Sequence, residues 1–270
     1  MMRVTVLSEN TVRDDRLKAE HGLSLYIETG GRRLLFDMGQ SSLFADHARV
    51  LGVDLRTVDT AVLSHGHYDH GGGLRTFLEQ NETAPVYVSR FAFGAHYNGT
   101  EKYIGLDRTL CGHPRLRETA GTVSLGDGLT LYASLEQPPR RAVDTGGLTC
   151  REGDVYVPEE FRHEQVLLCE EDGQRVLFSG CAHKGIVNLL EWFRPDVFVG
   201  GCHLSKVPLD GTLEEVSEEL GRYHTALYVC HCTGTAQAQF LKERLPSVTC
   251  LSAGDTVDIG VTATHRQRES

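Results

Sequence analysis

The sequence predicts a strand-rich α/β protein built as one domain with two layers of sheet. Short apolar runs of strand character recur along the chain, and amphipathic helical stretches are interleaved with them. No linker rich in Pro, Ser or charge divides the 270 residues, and α/β and β-sandwich folds reach about 200 to 250 residues as one unit. With 40 % apolar and 24 % charged residues, the chain has the composition of an ordinary globular protein that buries a large core without covalent staples.

Taken in order, the strand-like runs fall at residues 3–7, 23–28, 33–36, 60–63, 86–88, 129–133, 166–169, 176–178, 197–199 and 226–229. Gly30-Gly31 between two of them is a hairpin signal. Leu213, Val216, Leu220 and Tyr223 recur at three- and four-residue steps on a glutamate-rich stretch, the pattern of an amphipathic surface helix. Residues 186–193 and 236–245 read the same way. The least regular part is 90–161, where Gly, Pro and Arg are scattered among Tyr and Phe. Such a stretch is expected to form a substrate-facing cover.

Charge narrows the partners. The 27 basic and 37 acidic side chains leave a net −10, which opposes non-specific attraction to nucleic acid or an anionic membrane and leaves a small molecule as the expected partner. The opening residues lack the apolar length of a signal peptide, and nowhere do about 18 apolar residues run together, so a cytoplasmic location is expected. The eight cysteines are read as reduced thiols, and Cys111, Cys181, Cys202, Cys230 and Cys232 each lie within two residues of a histidine.

The chemistry collects where apolar runs stop. A histidine follows four of them closely: His65, His183, His203 and His231. Strand ends on one rim would gather these side chains. The run His65-Gly66-His67-Tyr68-Asp69-His70 adds further imidazoles and a carboxylate, donors that suit Zn²⁺ and other borderline divalent ions. Gly66 and Gly71-Gly72-Gly73 let the backbone turn tightly. A loop wrapped around two ions would use His65 and His67 on one, Asp69 and His70 on the other, with a water or hydroxide between them. The expected cofactors are two divalent ions, Zn first, with Mn and Fe as alternatives.

The run Ser64-His65-Gly66-His67-Tyr68-Asp69-His70-Gly71-Gly72-Gly73 resembles the histidine-aspartate signature of the metallo-β-lactamase superfamily. Ala19-Glu20-His21-Gly22-Leu23-Ser24, Leu35-Phe36-Asp37-Met38-Gly39-Gln40, Ser179-Gly180-Cys181-Ala182-His183-Lys184-Gly185, Gly200-Gly201-Cys202-His203-Leu204 and His231-Cys232-Thr233-Gly234 are similar to one branch. That branch holds the archaeal 7,8-dihydropterin-6-methyl-4-(β-D-ribofuranosyl)aminobenzene-5′-phosphate synthase and hydrolase-like bacterial relatives. The resemblance implies an αββα four-layer sandwich. It implies that His65 and His67 bind the first metal and that Asp69, His70 and His231 bind the second. Cys181 stands where most of the superfamily has a bridging aspartate, and a thiolate also binds zinc. His183 and His163 compete for the remaining place on the first metal, and the branch motif favours His183. His203 and Lys184 are assigned to substrate, with a structural loop hydrogen bond as the alternative for His203. Asp37 is expected to be a hydrogen-bonding residue near the site, His21 to cap the strand that begins at the Gly22 turn, and His47, His96, His113, His224 and His265 to be ordinary surface or core histidines.

The expected activity is metal-dependent hydrolysis of a phosphate-bearing or ester-type small molecule, with Asp69 orienting and deprotonating the water. Lys102, Arg108, Arg115 and Lys184 are candidates for an anionic group, and Phe91, Phe93, Tyr97 and Tyr103 for stacking a flat, pterin-like ring. A dihydropterin-diphosphate-dependent transferase is one alternative. A non-catalytic metal- or redox-responsive binding protein, motivated by the thiols beside the ligands, is the other.

Overall fold

The structure is a computed structural model that describes residues 1–260 except Ser134 and Glu136; His265 lies outside the described residues. The first sheet is built from β1 (Met2–Ser8), β2 (Ser24–Thr29), β3 (Arg32–Phe36), β4 (Thr60–Val62), β5 (Val86–Ser89), β8 (Leu116–Thr119) and β18 (Thr256–Ile259), ordered β18-β1-β2-β3-β4-β5-β8. The second contains β9 (Thr122–Gly126), β10 (Leu129–Ala133), β13 (Gln165–Glu171), β14 (Gln174–Ser179), β15 (Val197–Gly201), β16 (Ala226–Cys230) and β17 (Val248–Cys250), ordered β17-β16-β15-β14-β13-β10-β9. Each of the ten apolar runs becomes a strand, because alternate residues meet an apolar layer on both faces. Gly30 and Gly31, with φ of 55° and 80°, make the two-residue turn that joins Thr29 to Arg32.

Between the sheets, Val6, Ile27, Phe36 and Val62 pack against Leu131, Leu167, Phe178 and Val199. The Phe36 and Phe178 rings meet at 6.0 Å. On the outer face of the first sheet lie α1 (Leu43–Val50) and α3 (Leu74–Gln80), whose Phe44 and Phe77 cover Leu35, Ala61 and Val86. On the outer face of the second lie α4 (Ile186–Phe193), α5 (Gly211–Gly221) and α6 (Thr235–Arg244), with Leu189, Leu213 and Leu241 against Leu177 and Leu227. Full burial of each such side chain contributes roughly 1.5–3 kcal/mol, so the αββα layering follows from apolar stripes on both faces of each sheet. Among the described residues no helix is long and apolar enough to cross a membrane.

The 90–161 stretch departs from the irregular reading. Its described residues carry β8, β9 and β10 and also β6 (His96–Asn98), β7 (Lys102–Tyr103), β11 (Leu148–Glu152) and β12 (Val155–Pro158), which form a third sheet ordered β12-β11-β6-β7. These strands are short and largely exposed, with Arg, Lys and Glu along them, so the composition does not show the apolar alternation of a buried strand.

Pairing direction places the chemistry. β3, β4 and β5 run parallel, as do β14, β15 and β16. The C-terminal ends of β3, β4, β14, β15 and β16 are followed at once by Asp37, the 63–70 loop, Cys181, His203 and His231.

Candidate metal centre

The first-motif histidines emerge from the turn after β4, and α2 (Tyr68–Gly71) carries Asp69 and His70. The turn needs its glycine, since a Cβ on Gly66 would lie 2.1 Å from the Ala92 carbonyl oxygen. Asp37, fully buried at φ 61°, organises this loop. Its Oδ1 accepts the Ser64 N–H at 2.6 Å, and its Oδ2 accepts the Ser64 hydroxyl and His70 Nδ1–H, both at 2.7 Å. With its own hydrogen committed to Asp37, Ser64 Oγ accepts from His65 Nδ1 at 2.8 Å. Both rings therefore keep their proton on Nδ1 and turn a bare Nε2 lone pair inward.

His231 is held in the same way from another strand end. Its backbone N–H donates to Glu9 Oε1 at 2.6 Å and its Nδ1–H to Asn10 Oδ1 at 2.8 Å. Its Nε2 then faces His70 Nε2 at 3.1 Å and Asp69 Oδ2 at 3.3 Å. Two lone pairs facing each other across a buried gap repel unless a cation lies between them. Two nitrogens bound to one tetrahedral zinc stand roughly 3.3 Å apart, given Zn–N distances of about 2.0–2.1 Å. His65 Nε2 and His183 Nε2 are separated by 3.3 Å, so the residues present fit two divalent ions.

The donor atoms form overlapping sets, within each of which all atoms lie within 4.8 Å of one another: His65, His67 and His183; His65, His70 and Cys181; and Cys181, His231 and Cys232. Cys181, 3.3 Å from His70 Nε2, stands between the two groups. Burial, with the charges of neighbouring rings, pushes His65 and His183 well below the ordinary histidine value, and burial takes His67 down to about 3. These rings are neutral, as metal ligands must be. Burial alone would raise the Asp69 carboxyl, but the neighbouring His70 and the hydrogen bond from His21 hold it well below the usual range. So low a proton affinity suits an acceptor or a ligand better than a base.

His163, the competitor of His183, points its chemistry elsewhere. Its Nδ1 accepts the Gly66 N–H at 2.9 Å, so the ring proton sits on Nε2 and no lone pair remains for an ion. Nearby His96 faces two acceptors, Glu159 Oε2 at 2.7 Å and the Phe91 carbonyl at 3.3 Å. The three rings of His67, His96 and His163 thus lie close enough for a metal without offering the donors for one. His96 is a core histidine, buried against His163 with ring centroids 4.0 Å apart.

Two thiols sit at the floor of the centre. Burial raises the Cys181 thiol, whereas hydrogen bonds from Cys181 and His203 hold the Cys232 thiol well below its ordinary value in spite of burial. Asp37, Ala182, His203 and His231 all adopt left-handed backbone, with φ between 51° and 61°. Each costs about 1–2 kcal/mol in a non-glycine residue, and such strain collects at functional sites.

The donors open into a cavity of about 430 Å³ lined also by His21, Tyr68, Lys102, Ser205, Lys206 and Thr235. Of the substrate candidates, His203 lines it and Lys102 lies over the Tyr68 ring at its mouth, 5.2 Å from the centroid. Lys184 does not reach it, because its Nζ donates to the Glu160 carbonyl at 2.6 Å and faces a neighbouring cavity. Arg115 is turned away onto the carbonyls of Leu78 and Ala84, and Arg108 begins a short turn of 3₁₀ helix outside the cavity. The four aromatics do not form one cluster: Phe91 and Phe93 line the neighbouring cavity, while Tyr97 packs against Tyr103 and Tyr156 at 5.4 and 5.1 Å. His21 does more than cap a strand, since its Nδ1 accepts from Asn10 and its Nε2–H donates to Asp69 Oδ2 at 3.2 Å. Glu9, Asn10, Cys232 and Lys206 were not singled out as site residues from the sequence. Glu9 and Asn10 directly follow β1, the same strand-end position that marked the histidines.

Residues 17–230 match the family model of the metallo-beta-lactamase superfamily. An uncharacterized Methanocaldococcus jannaschii protein, MJ0448, is 29 % identical over 254 residues, covering 86 % of this chain and 90 % of its own. The 7,8-dihydropterin-6-methyl-4-(β-D-ribofuranosyl)-aminobenzene-5′-phosphate synthase of the same organism is 24 % identical over 273 residues, covering 88 % of this chain and 90 % of its own. The crystal structure of Tm1679, a metal-dependent hydrolase of the β-lactamase superfamily, superposes with a TM-score of 0.83 at 27 % identity, covering 96 % of this chain and all of that one.

Proposed function

This chain belongs to the metallo-β-lactamase superfamily, and from that premise we propose that it is a dinuclear metal-dependent hydrolase acting on a small phosphate-bearing molecule. The observation that carries the reading is the pair of facing imidazoles, His65 with His183 and His70 with His231, at 3.3 and 3.1 Å. His65, His67 and His183 would hold one ion, Asp69, His70 and His231 the other, with Cys181 between them. When bound, two such ions make water a nucleophile near neutral pH and polarise a phosphoryl or carbonyl oxygen. Asp37, Ser64 and Asn10 keep the ring lone pairs aimed inward, and Asp69, kept ionised, orients water by accepting its hydrogen.

Lys102 and Lys206 supply the phosphate contact. Neither pairs with a carboxylate among the described residues, and Lys206 Nζ donates only to the Gly146 carbonyl at 3.0 Å. Gly234 and Thr235, where α6 begins, line the same cavity and present the positive end of that helix. Similarity to the named synthase favours a second reading, in which the same metals and lysines would hold a diphosphate leaving group as its carbon–oxygen bond to a pterin methylene breaks and an arylamine-type nucleophile bonds to that methylene carbon.

Metal analysis of the purified protein is expected to find about two ions per chain. Hydrolysis of bis(p-nitrophenyl) phosphate should disappear with EDTA and return with zinc or manganese. Metal-saturated protein that cleaves no phosphoester, lactone or thioester would overturn the hydrolase reading. Lys102→Ala and Lys206→Ala should each raise KM about tenfold for a phosphate substrate and change kcat far less, since an ammonium–phosphate contact is worth roughly 1.5–3 kcal/mol and is already made in the bound ground state. An equal fall in kcat with KM unchanged would place these lysines in the reacting step instead.

A further inference from the structure

Behind the metal donors lies a second cavity of about 1130 Å³, and none of the residues lining it lines the first. The wall between them is imidazole: the His67 ring stands 4.9 Å from His163 and 5.7 Å from His96. We propose that this second cavity binds an anionic, ring-bearing small molecule, a carboxylate or phosphate attached to a planar group.

Three cations face it. The guanidiniums of Arg90 and Arg162 lie over the Phe91 ring, 4.7 and 4.2 Å from its centroid, and neither is in an ion pair among the described residues. Lys184 uses one ammonium hydrogen on the Glu160 carbonyl and keeps the others. A fourth donor is buried. Among the described residues His163 Nε2 has no hydrogen-bond partner, and Glu159 Oε1 is 3.7 Å away. Since Nδ1 accepts the Gly66 N–H, Nε2 carries a proton with nothing to receive it. An unsatisfied buried donor of this kind calls for an acceptor from a ligand or water.

The described acidic groups of the cavity do not cancel this. Glu159 is committed to His96 Nδ1 at 2.7 Å and to the Phe161 N–H at 3.1 Å, and Glu152 and Glu160 stand exposed at the lip. Phe93, which carries no cation over its ring among the described residues, lines the cavity as an aromatic surface for a planar group, and the volume is ample for a ligand of drug size. His163 also ties the cavity to the centre, because its Nδ1 holds the backbone between His65 and His67. That link rests on the metal reading above; the binding does not.

The test is equilibrium binding of 2-naphthoate to the full chain, loaded with metal and stripped of it, with neutral 2-naphthol as the control. Saturable binding of the acid and none of the alcohol is expected. The Arg90→Ala/Arg162→Ala variant should weaken binding at least about tenfold, the loss of one or two charge-assisted contacts. Arg162→Gln alone should weaken it about threefold should the double variant fail to fold. His163→Asn keeps an acceptor near the Gly66 N–H, removes the Nε2 donor, and should also weaken binding about three- to tenfold. Lys102→Ala/Lys206→Ala should leave it within about twofold. The proposal is overturned by absence of saturable binding, by equal affinity for 2-naphthol, by unchanged affinity in the folded arginine variants, or by loss in the lysine variant, which would put the probe in the metal cavity. Protein that binds no metal but still binds 2-naphthoate would defeat the hydrolase reading and leave this one standing.

Discussion

Replacing His70 by alanine is expected to lower turnover by about 10³-fold or more, the rate equivalent of roughly 4 kcal/mol of electrostatic stabilisation by a metal ion. His70 is the ring in which the two halves of the centre meet: its Nε2 lies 3.1 Å from His231 Nε2, 3.3 Å from Cys181 Sγ and 3.8 Å from Asp69 Oδ2. Its removal takes one donor from the second ion and also frees a hydrogen-bond site on Asp37. The expected signature is therefore a stoichiometry near one ion per chain together with the loss of rate. A His70→Ala protein that kept two ions and near-normal turnover would refute the assignment of the second site.

The other large effect is expected at a residue that touches no ion. Asp37→Asn should weaken metal binding about 10- to 100-fold, the scale seen when a residue that orients a ligand is changed. Asparagine tolerates the left-handed backbone at this position, so the change isolates the carboxylate chemistry. Asp37 accepts three hydrogens, from Ser64 N, Ser64 Oγ and His70 Nδ1. An amide has one oxygen and must turn N–H groups toward a donor, whichever way it lies. If it faces His70, that ring moves its proton to Nε2 and loses its metal lone pair. If it faces the Ser64 amide, a buried N–H is left unpaired, at about 1–3 kcal/mol. Competition against a chelating dye and urea unfolding of metal-free protein would read the two effects. Unchanged metal affinity would show that the Asp37–Ser64–His65 chain is only a structural contact.

Much of the fold and of the candidate donor set was legible in the amino-acid order because both have local causes. Apolar residues in an unbroken run, as in Val176, Leu177 and Phe178, announce a strand buried on both faces whatever it packs against. Imidazoles and a carboxylate within six residues, His65 to His70, announce a cation by their chemistry alone. The third sheet was illegible because its strands are short and wet, and their side chains follow solvent instead of a core. Glu9, Asn10 and Lys206 were illegible for another reason. Nothing in their own neighbourhoods tells that His231, 222 residues beyond Glu9, will come to rest against the end of β1.

Sequence by itself determined which kinds of atom are available: apolar faces enough for four layers, and nitrogen, oxygen and sulfur donors at the ends of strands. Tertiary structure alone decided which nitrogens turn a lone pair toward the candidate centre. His163 and His183 carry the same ring, and residue type cannot separate them. They part because the Gly66 amide, 97 residues from His163, occupies one nitrogen of that ring and fixes the proton on the other. His183 Nε2 is left facing His65 Nε2 at 3.3 Å. A lone pair is directed by whatever hydrogen-bonds the far side of its ring, and that partner is chosen by how distant strands pack.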